Sequence, residues 1–203
     1  MDYTKLLETL NQKGYHATLA KKRDEAREQA IALLADCQSI GKGGSKTLQE
    51  TGIWDYLLTC GKTIYSTTLA KSRGEDPKQA MKDAMMADAY ICSANAITED
   101  GDIVNIDGVG NRGGALIYGP DKLIMVVGRN KIVKNYGAAI ARIKKEACPK
   151  NAERNGHDLP CRLTGKCANC DDPHRMCKIT MRLEYPLPDK AYHIILVDED
   201  LGF

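Results

Sequence analysis

The chain lacks an excess of charge of either sign: 29 lysines and arginines stand against 27 aspartates and glutamates in 203 residues, a formal net charge of +2. Such a balance, with the basic residues spread out, offers no bulk attraction for nucleic acid or an anionic membrane. Long hydrophobic runs are missing as well. None approaches the roughly 20 residues needed to cross a bilayer, so no membrane insertion is expected. The opening Met1-Asp2-Tyr3-Thr4-Lys5 lacks the charged-then-apolar order of a secretory signal, which makes the cytoplasm the expected location. No internal repeat, low-complexity stretch or linker interrupts the chain, and its length suits a single domain over residues 1–203. Flavin and nicotinamide fingerprints are absent, and the glycines at 41–44 do not have Walker A spacing.

What the chain has is alternation. Tyr3, Leu6, Leu7 and Leu10 recur at helical spacing up to Lys13-Gly14, and Tyr15 to Leu19 reads as a strand. From Asp24, the positions Ala26, Ala30, Leu33, Leu34 and Cys37 mark a second amphipathic helix. Asp76-Pro77-x-Gln79 opens another, with a cap and a first-turn proline. Residues 122–128 contain Leu-Ile-Met-Val-Val, the pattern of a strand buried on both faces. A helix over 135–147 and strands over 178–185 and 192–197 complete an α/β pattern, with a mostly parallel sheet flanked by helices.

Two loops carry candidate ligand-binding residues. Gly43, Gly44 and Ser45 precede Thr47-x-x-Glu50, a capping-box pattern that places free backbone N–H groups where a phosphate or carboxylate can sit. An ordinary tight turn accounts for the same residues equally well. The second loop system runs from Ala87 to Arg112. An apolar segment at 90–92 leads to the turn Glu99-Asp100-Gly101, a β-branched run returns, and Asp107-Gly108-Val109-Gly110-Asn111 forms a second turn. Asn95, Asn105, Asp107, Gly108, Asn111 and Arg112, with Arg129 at the end of the 122–128 strand, are candidates for a small anionic metabolite.

Of eight cysteines, Cys37, Cys60 and Cys92 stand in apolar contexts and five fall between 148 and 177. Cys161, Cys167, Cys170 and Cys177 follow a C-x5-C-x2-C-x6-C spacing in a stretch that needs something to order it. Structural zinc ordinarily uses two close pairs, and only one C-x2-C pair occurs here. The spread favours a [4Fe-4S] cluster, with zinc the alternative and Cys148 a bystander. The spacing also resembles, reversed, the cluster loop of DNA glycosylases of the endonuclease III family.

Together, Ser93 to Arg112, the Gly43-Gly44-Ser45 loop, V-V-G-R-N-K-I-V at 126–133, V-D-E-D-L-G-F at 197–203 and the cysteine loop resemble the lactate-utilisation (LUD) domain family. The resemblance covers nearly the whole chain. It implies an α/β fold related to ribose-phosphate isomerases, glucosamine-phosphate deaminases and CoA transferases, and a part in oxidising L-lactate or a related 2-hydroxy acid to pyruvate. CoA transferases of that group use a glutamate nucleophile near a strand end, so the resemblance implies Glu99 as the candidate catalytic residue, although an exposed hairpin turn explains it more simply. The implied partners are iron-sulfur or flavin oxidoreductase subunits, and a homo-oligomer is compatible with the sequence. Residues 93–108 are also similar to a motif of methylthioribose-phosphate isomerases, but Asn95 replaces the aspartate that moves protons there, which speaks against isomerisation. Three readings stay open: an iron-sulfur electron-transfer component, an enzyme or binding domain for a phosphorylated or CoA-linked acid, and a zinc-stabilised non-catalytic subunit.

Overall fold

The computed structural model describes residues 3–203, so the N-terminal reading at Met1 and Asp2 lies outside the described residues. The centre is a six-stranded parallel sheet built from β1 (His16–Ala20), β2 (Ser39–Lys42), β3 (Thr63–Tyr65), β4 (Ala89–Cys92), β7 (Lys122–Gly128) and β10 (Ala191–Val197). Its spatial order is β1-β10-β7-β4-β2-β3. Strand β7 lies between β10 and β4, and its side chains alternate between two cores. Leu123, Met125 and Val127 enter one, Ile124 and Val126 the other, all fully buried. The Leu-Ile-Met-Val-Val run therefore has no polar position because neither face meets water.

Helices cover both faces. Helix α2 (Arg23–Leu33) with α3 (Lys46–Glu50) and α4 (Ile53–Thr59) supplies Ala26, Ala30, Leu48, Ile53 and Leu57 to one core. The opposite core takes Leu6 and Leu10 from α1 (Tyr3–Gln12), Ala84 from α6 (Pro77–Met85), and Ala115 and Leu116 from α7 (Asn111–Tyr118). At the α6 start, Asp76 accepts from Lys78 N at 2.9 Å and Pro77 occupies the first turn, as the sequence indicates.

The stretch from Ala87 to Arg112 divides between two sheets. Its first strand, β4, belongs to the parallel sheet. The hairpin pairs β5 (Ala96–Thr98) with β6 (Ile103–Asp107) in a separate sheet of order β8-β5-β6-β9, with β8 at Ile132–Val133 and β9 at Ile179–Leu183. Gly101, at φ +79°, makes the turn. Asp102 anchors it from inside by pairing with Lys13 at 2.9 Å and Arg182 at 2.7 Å.

Several local expectations are corrected. Helix α2 ends at Leu33, short of Cys37. Ser45, not Thr47, caps α3 by accepting from Leu48 N at 3.3 Å, and Glu50 instead accepts from Gly202 N at 2.6 Å. After β3, Ser66 caps α5 (Thr67–Arg73) by accepting from Leu69 N at 3.2 Å. The helix expected to stop near Ala147 continues: α8 (Tyr136–Arg142) passes into a π-helical turn (Ile143–Ala147) and then α9 (Cys148–Arg154). The cysteine segment is thus not structureless, since it holds α9 and α10 (Pro160–Thr164).

Candidate functional site

Because the six strands are parallel, their C-terminal ends share one edge, where α/β sheets usually bind ligands. The loops after β2, β4 and β7 open there onto a cavity of about 690 Å³. Gly43, Gly44, Ser45 and Thr47 come from the first loop, Ser93 and Asn95 from the second, and Lys131 from the third. Asp107, Gly108, Asn111 and Arg112 form the side wall, and residues around Cys148, Arg154 and His174 close over the opening.

Arg112 binds the walls together. Its Nε and Nη2 both donate to Asp107 Oδ1, at 3.0 and 2.6 Å, Nη1 donates to Ser93 O at 3.1 Å, and Nη2 also reaches Asn95 Oδ1 at 2.7 Å and Ile106 O at 3.2 Å. Asp107 Oδ2 accepts from Gly113 N at 2.8 Å. With its donors so occupied and its charge matched, Arg112 serves the wall better than it can serve a ligand. Asn95 accepts from Ile106 N and donates its own N–H to Asn105 Oδ1, so the two asparagines staple the base of the hairpin.

Lys131 has different surroundings. It is 2% exposed, and its Nζ donates to Thr47 Oγ1 at 2.8 Å and Ser93 Oγ at 3.0 Å, two neutral acceptors. Burial, with Arg142 and Arg112 adding to it, lowers its amine to about 7. Beside the cavity, Lys42 lies 4.0 Å over the Trp54 ring, and burial and then Arg154 lower it to about 8. Tyr90 faces Lys42 in a small side pocket, and its buried hydroxyl finds no hydrogen-bond partner among the described residues.

Of the five late cysteines, Cys148 lines the cavity and the other four stand in the segment that follows it. The Cys148 thiol lies within electrostatic reach of Cys177, Cys167 and Cys161; burial first, and those neighbours next, push it up to about 12. Cys161 is raised by burial and then by Cys167, Cys170 and Cys177. Arg175 Nε donates to Cys177 Sγ at 3.3 Å, and its Nη1 donates to Cys170 O at 2.8 Å. All five are half-buried and unpaired by disulfides. Among the described residues, no three His, Cys, Asp or Glu side chains draw together as a site for a single metal ion. The metal loop expected from sequence is therefore not preformed around one ion.

The LUD domain family model matches residues 3–197. The chain belongs to the LUD domain family. A DUF162 family protein from Deinococcus radiodurans has a similar solved structure, at a TM-score of 0.56 and 14% identity, over 95% of this chain and 94% of that one. At that identity the likeness establishes the fold alone. No curated protein matches the chain.

Within this LUD domain the sequence candidates separate. Gly43, Gly44, Ser45, Asn95, Asp107, Gly108, Asn111 and Arg112 all line the cavity. Asn105 is fully buried behind the wall. Glu99 is exposed in the hairpin turn, where its N–H donates to Val133 O, and stands outside the cavity lining. Arg129 also stands outside it, half-exposed and paired with Asp200 at 2.9 Å and Asp198 at 3.4 Å. The geometry thus assigns Glu99 and Arg129 to the surface. Lys131, Lys42 and Arg154 escaped the sequence reading, and Cys148, read there as a bystander, faces the cavity. Lys131 sat within a quoted motif, V-V-G-R-N-K-I-V, but its burial and its hydroxyl partners Thr47 and Ser93 depend on residues far away in the chain.

Proposed function

We propose that this LUD domain binds a small 2-hydroxy or 2-oxo acid in the sheet-edge cavity and carries a [4Fe-4S] cluster in the adjoining wall. In that role it is an electron-transfer or accessory component of the oxidation of L-lactate or a related acid. The observation carrying this reading is adjacency: Cys148, His174, Arg175 and Met176 belong both to the thiol cluster's surroundings and to the cavity wall. Membership of the LUD family supports the connection to lactate utilisation.

Four cysteines are the donor type that such a centre takes. Tetrahedral zinc, with Zn–S near about 2.3 Å, requires four tightly gathered sulfurs, whereas a cubane accepts thiolates spread around four corners. Cys161, Cys167, Cys170 and Cys177 would hold it. Arg175, whose Nε donates to Cys177 Sγ, would offset the charge of the thiolates. When bound, the cluster supplies one-electron transfer. Removing hydride from a 2-hydroxy acid is a two-electron step, so that step belongs to a flavin-bearing oxidoreductase partner, and iron-sulfur subunits would carry the electrons onward one at a time. The chain's own residues hold the acid: Arg154, over the Phe203 ring at 5.3 Å, keeps guanidinium N–H groups at the opening, and Asn111 and Ser45 face the same space.

Volume favours a second reading. A cavity of about 690 Å³ exceeds the needs of a three-carbon acid and accepts a phosphorylated or CoA-linked one.

Anaerobic purification followed by iron, sulfide and zinc analysis and EPR tests the first reading. About four irons per chain and a reducible signal that changes on adding lactate or pyruvate are expected. Stoichiometric zinc without bleachable colour would remove the redox role. Stabilisation by a phosphorylated acid but not by lactate or pyruvate would shift the assignment to the second reading.

A further inference from the structure

Lys131 is buried at a place where a lysine is costly unless its amine is used. The side chain is 2% exposed, faces the cavity, and has only the hydroxyls of Thr47 and Ser93 as hydrogen-bond partners among the described residues. An apolar side chain would avoid the desolvation that a buried ammonium suffers. The backbone closes in from the other side: a Cβ added to Gly202 would stand 3.2 Å from Nζ. Two arginines, Arg112 and Arg142, impose like charge, and each is engaged elsewhere, Arg142 with Asn130 O and Asn95 O at 2.7 Å each; Glu50, which accepts from Gly202 N, and the buried Cys92 act in the opposite sense and more weakly. A desolvated lysine beside other cations is the arrangement that makes an amine nucleophilic near neutral pH.

We propose that Lys131 is a Schiff-base lysine, whose amine attacks the C2 carbonyl of a 2-oxo acid bound in the cavity. This rests on the reading that the cavity takes such acids, and adds the group that reacts with them. A neutral amine has two N–H bonds and one lone pair. Thr47 and Ser93 accept the two N–H bonds, which leaves the lone pair for the carbonyl carbon.

In the step, a C–N bond forms as the carbonyl π pair moves to oxygen, and a proton passes from nitrogen to that oxygen to give a carbinolamine. The hydroxyl then leaves as water, taking one proton from solvent, and the nitrogen lone pair closes the iminium. Amine, carbonyl and one proton thus become iminium and water, with no oxidant or reductant. The substrate carboxylate offsets the new charge, and Arg154 at the opening is the cation placed to receive that carboxylate. The amine is neutral in part at pH 7, since burial holds it at about that value.

The test is borohydride reduction of the full chain with pyruvate, followed by peptide mapping, with thermal stabilisation by pyruvate measured in parallel. The expected result is a pyruvate-dependent adduct on the Lys131 peptide, in preference to exposed lysines such as Lys5, with yield rising as pH passes through about 7. Lys42→Met should keep the adduct and Lys131→Met should lose it. The wild-type map stands even if Lys131→Met folds poorly. Stabilisation by pyruvate with no adduct at Lys131, or adducts at surface lysines alone, would overturn this inference and leave acid binding intact. Neither adduct nor stabilisation would overturn both.

Discussion

Arg112 shows how a residue's chemistry is settled by what already surrounds it. An arginine between glycine-rich turns reads as an anion ligand, yet here its fork meets Asp107, Asn95 and two backbone carbonyls, with 16% of the side chain exposed. Lysine cannot reproduce that fork, so Arg112→Lys should destabilise the fold by about 2–4 kcal/mol in urea unfolding. An equal loss of acid binding with unchanged stability would contradict the structural role. Lys131 makes a prediction in pH. Its folded value of about 7 lies below the ordinary 10.5. Between these the unfolded chain binds more protons, so stability rises with pH across that window and the cost of the buried charge is fully present below it. The stability difference between wild type and Lys131→Met should therefore move in favour of wild type from pH 7 to 10, on the order of a few kcal/mol. Lys42 is common to both proteins and cancels. That Asn95, Asp107 and Arg112 meet was legible from the paired turns flanking one β-branched run. That most of the Arg112 donors are taken up within the wall was not, because carbonyls carry no sequence signature.

At the scale of elements, close packing against the parallel sheet sets the tolerances. A Cβ on Gly41 of β2 would lie 2.3 Å from Ala84 O in α6, so the helix must shift to admit any side chain. Gly41→Ala should cost about 1–3 kcal/mol in the same urea measurement. The continuous helical run from Tyr136 to Arg154 is more instructive. Pro149 has no N–H to donate and crowds the preceding turn, and a π-helical turn at Ile143–Ala147 lies directly before it. The wider turn carries the helix past the proline and brings Ile143, Ala147 and Cys148 to the cavity wall. Local pattern marked a helix stop at Cys148-Pro149 because proline usually ends one. Tertiary packing of Ala139, Ile143 and Ala147 against Ala96 and Val104 of the second sheet overrode it.

For the whole molecule, the cavity is a joint product of the parallel edge and the cysteine segment folded over it. The segment from Asn155 to Lys178 is largely solvent-exposed and is tied to the body by few contacts, among them Lys144 Nζ to Asn169 Oδ1 at 2.9 Å. A bound centre would therefore contribute most of its order. Limited proteolysis should cut first within 155–178, with cleavage slowed markedly after anaerobic reconstitution with iron and sulfide and restored by chelation. Unchanged cleavage in both states would argue that the thiols hold no centre.

The α/β alternation, the doubly buried Lys122–Gly128 strand, the Asp76-Pro77 helix start and the late cysteine group were decided by sequence alone, because each rests on neighbours a few residues apart. Which side chains share a cavity was decided only by tertiary structure. Lys131 meets Thr47 and Ser93 from 84 and 38 positions away, and Asp102 meets Lys13 from 89. The packing of distant elements buries Lys131, and that burial is the first cause of its lowered amine.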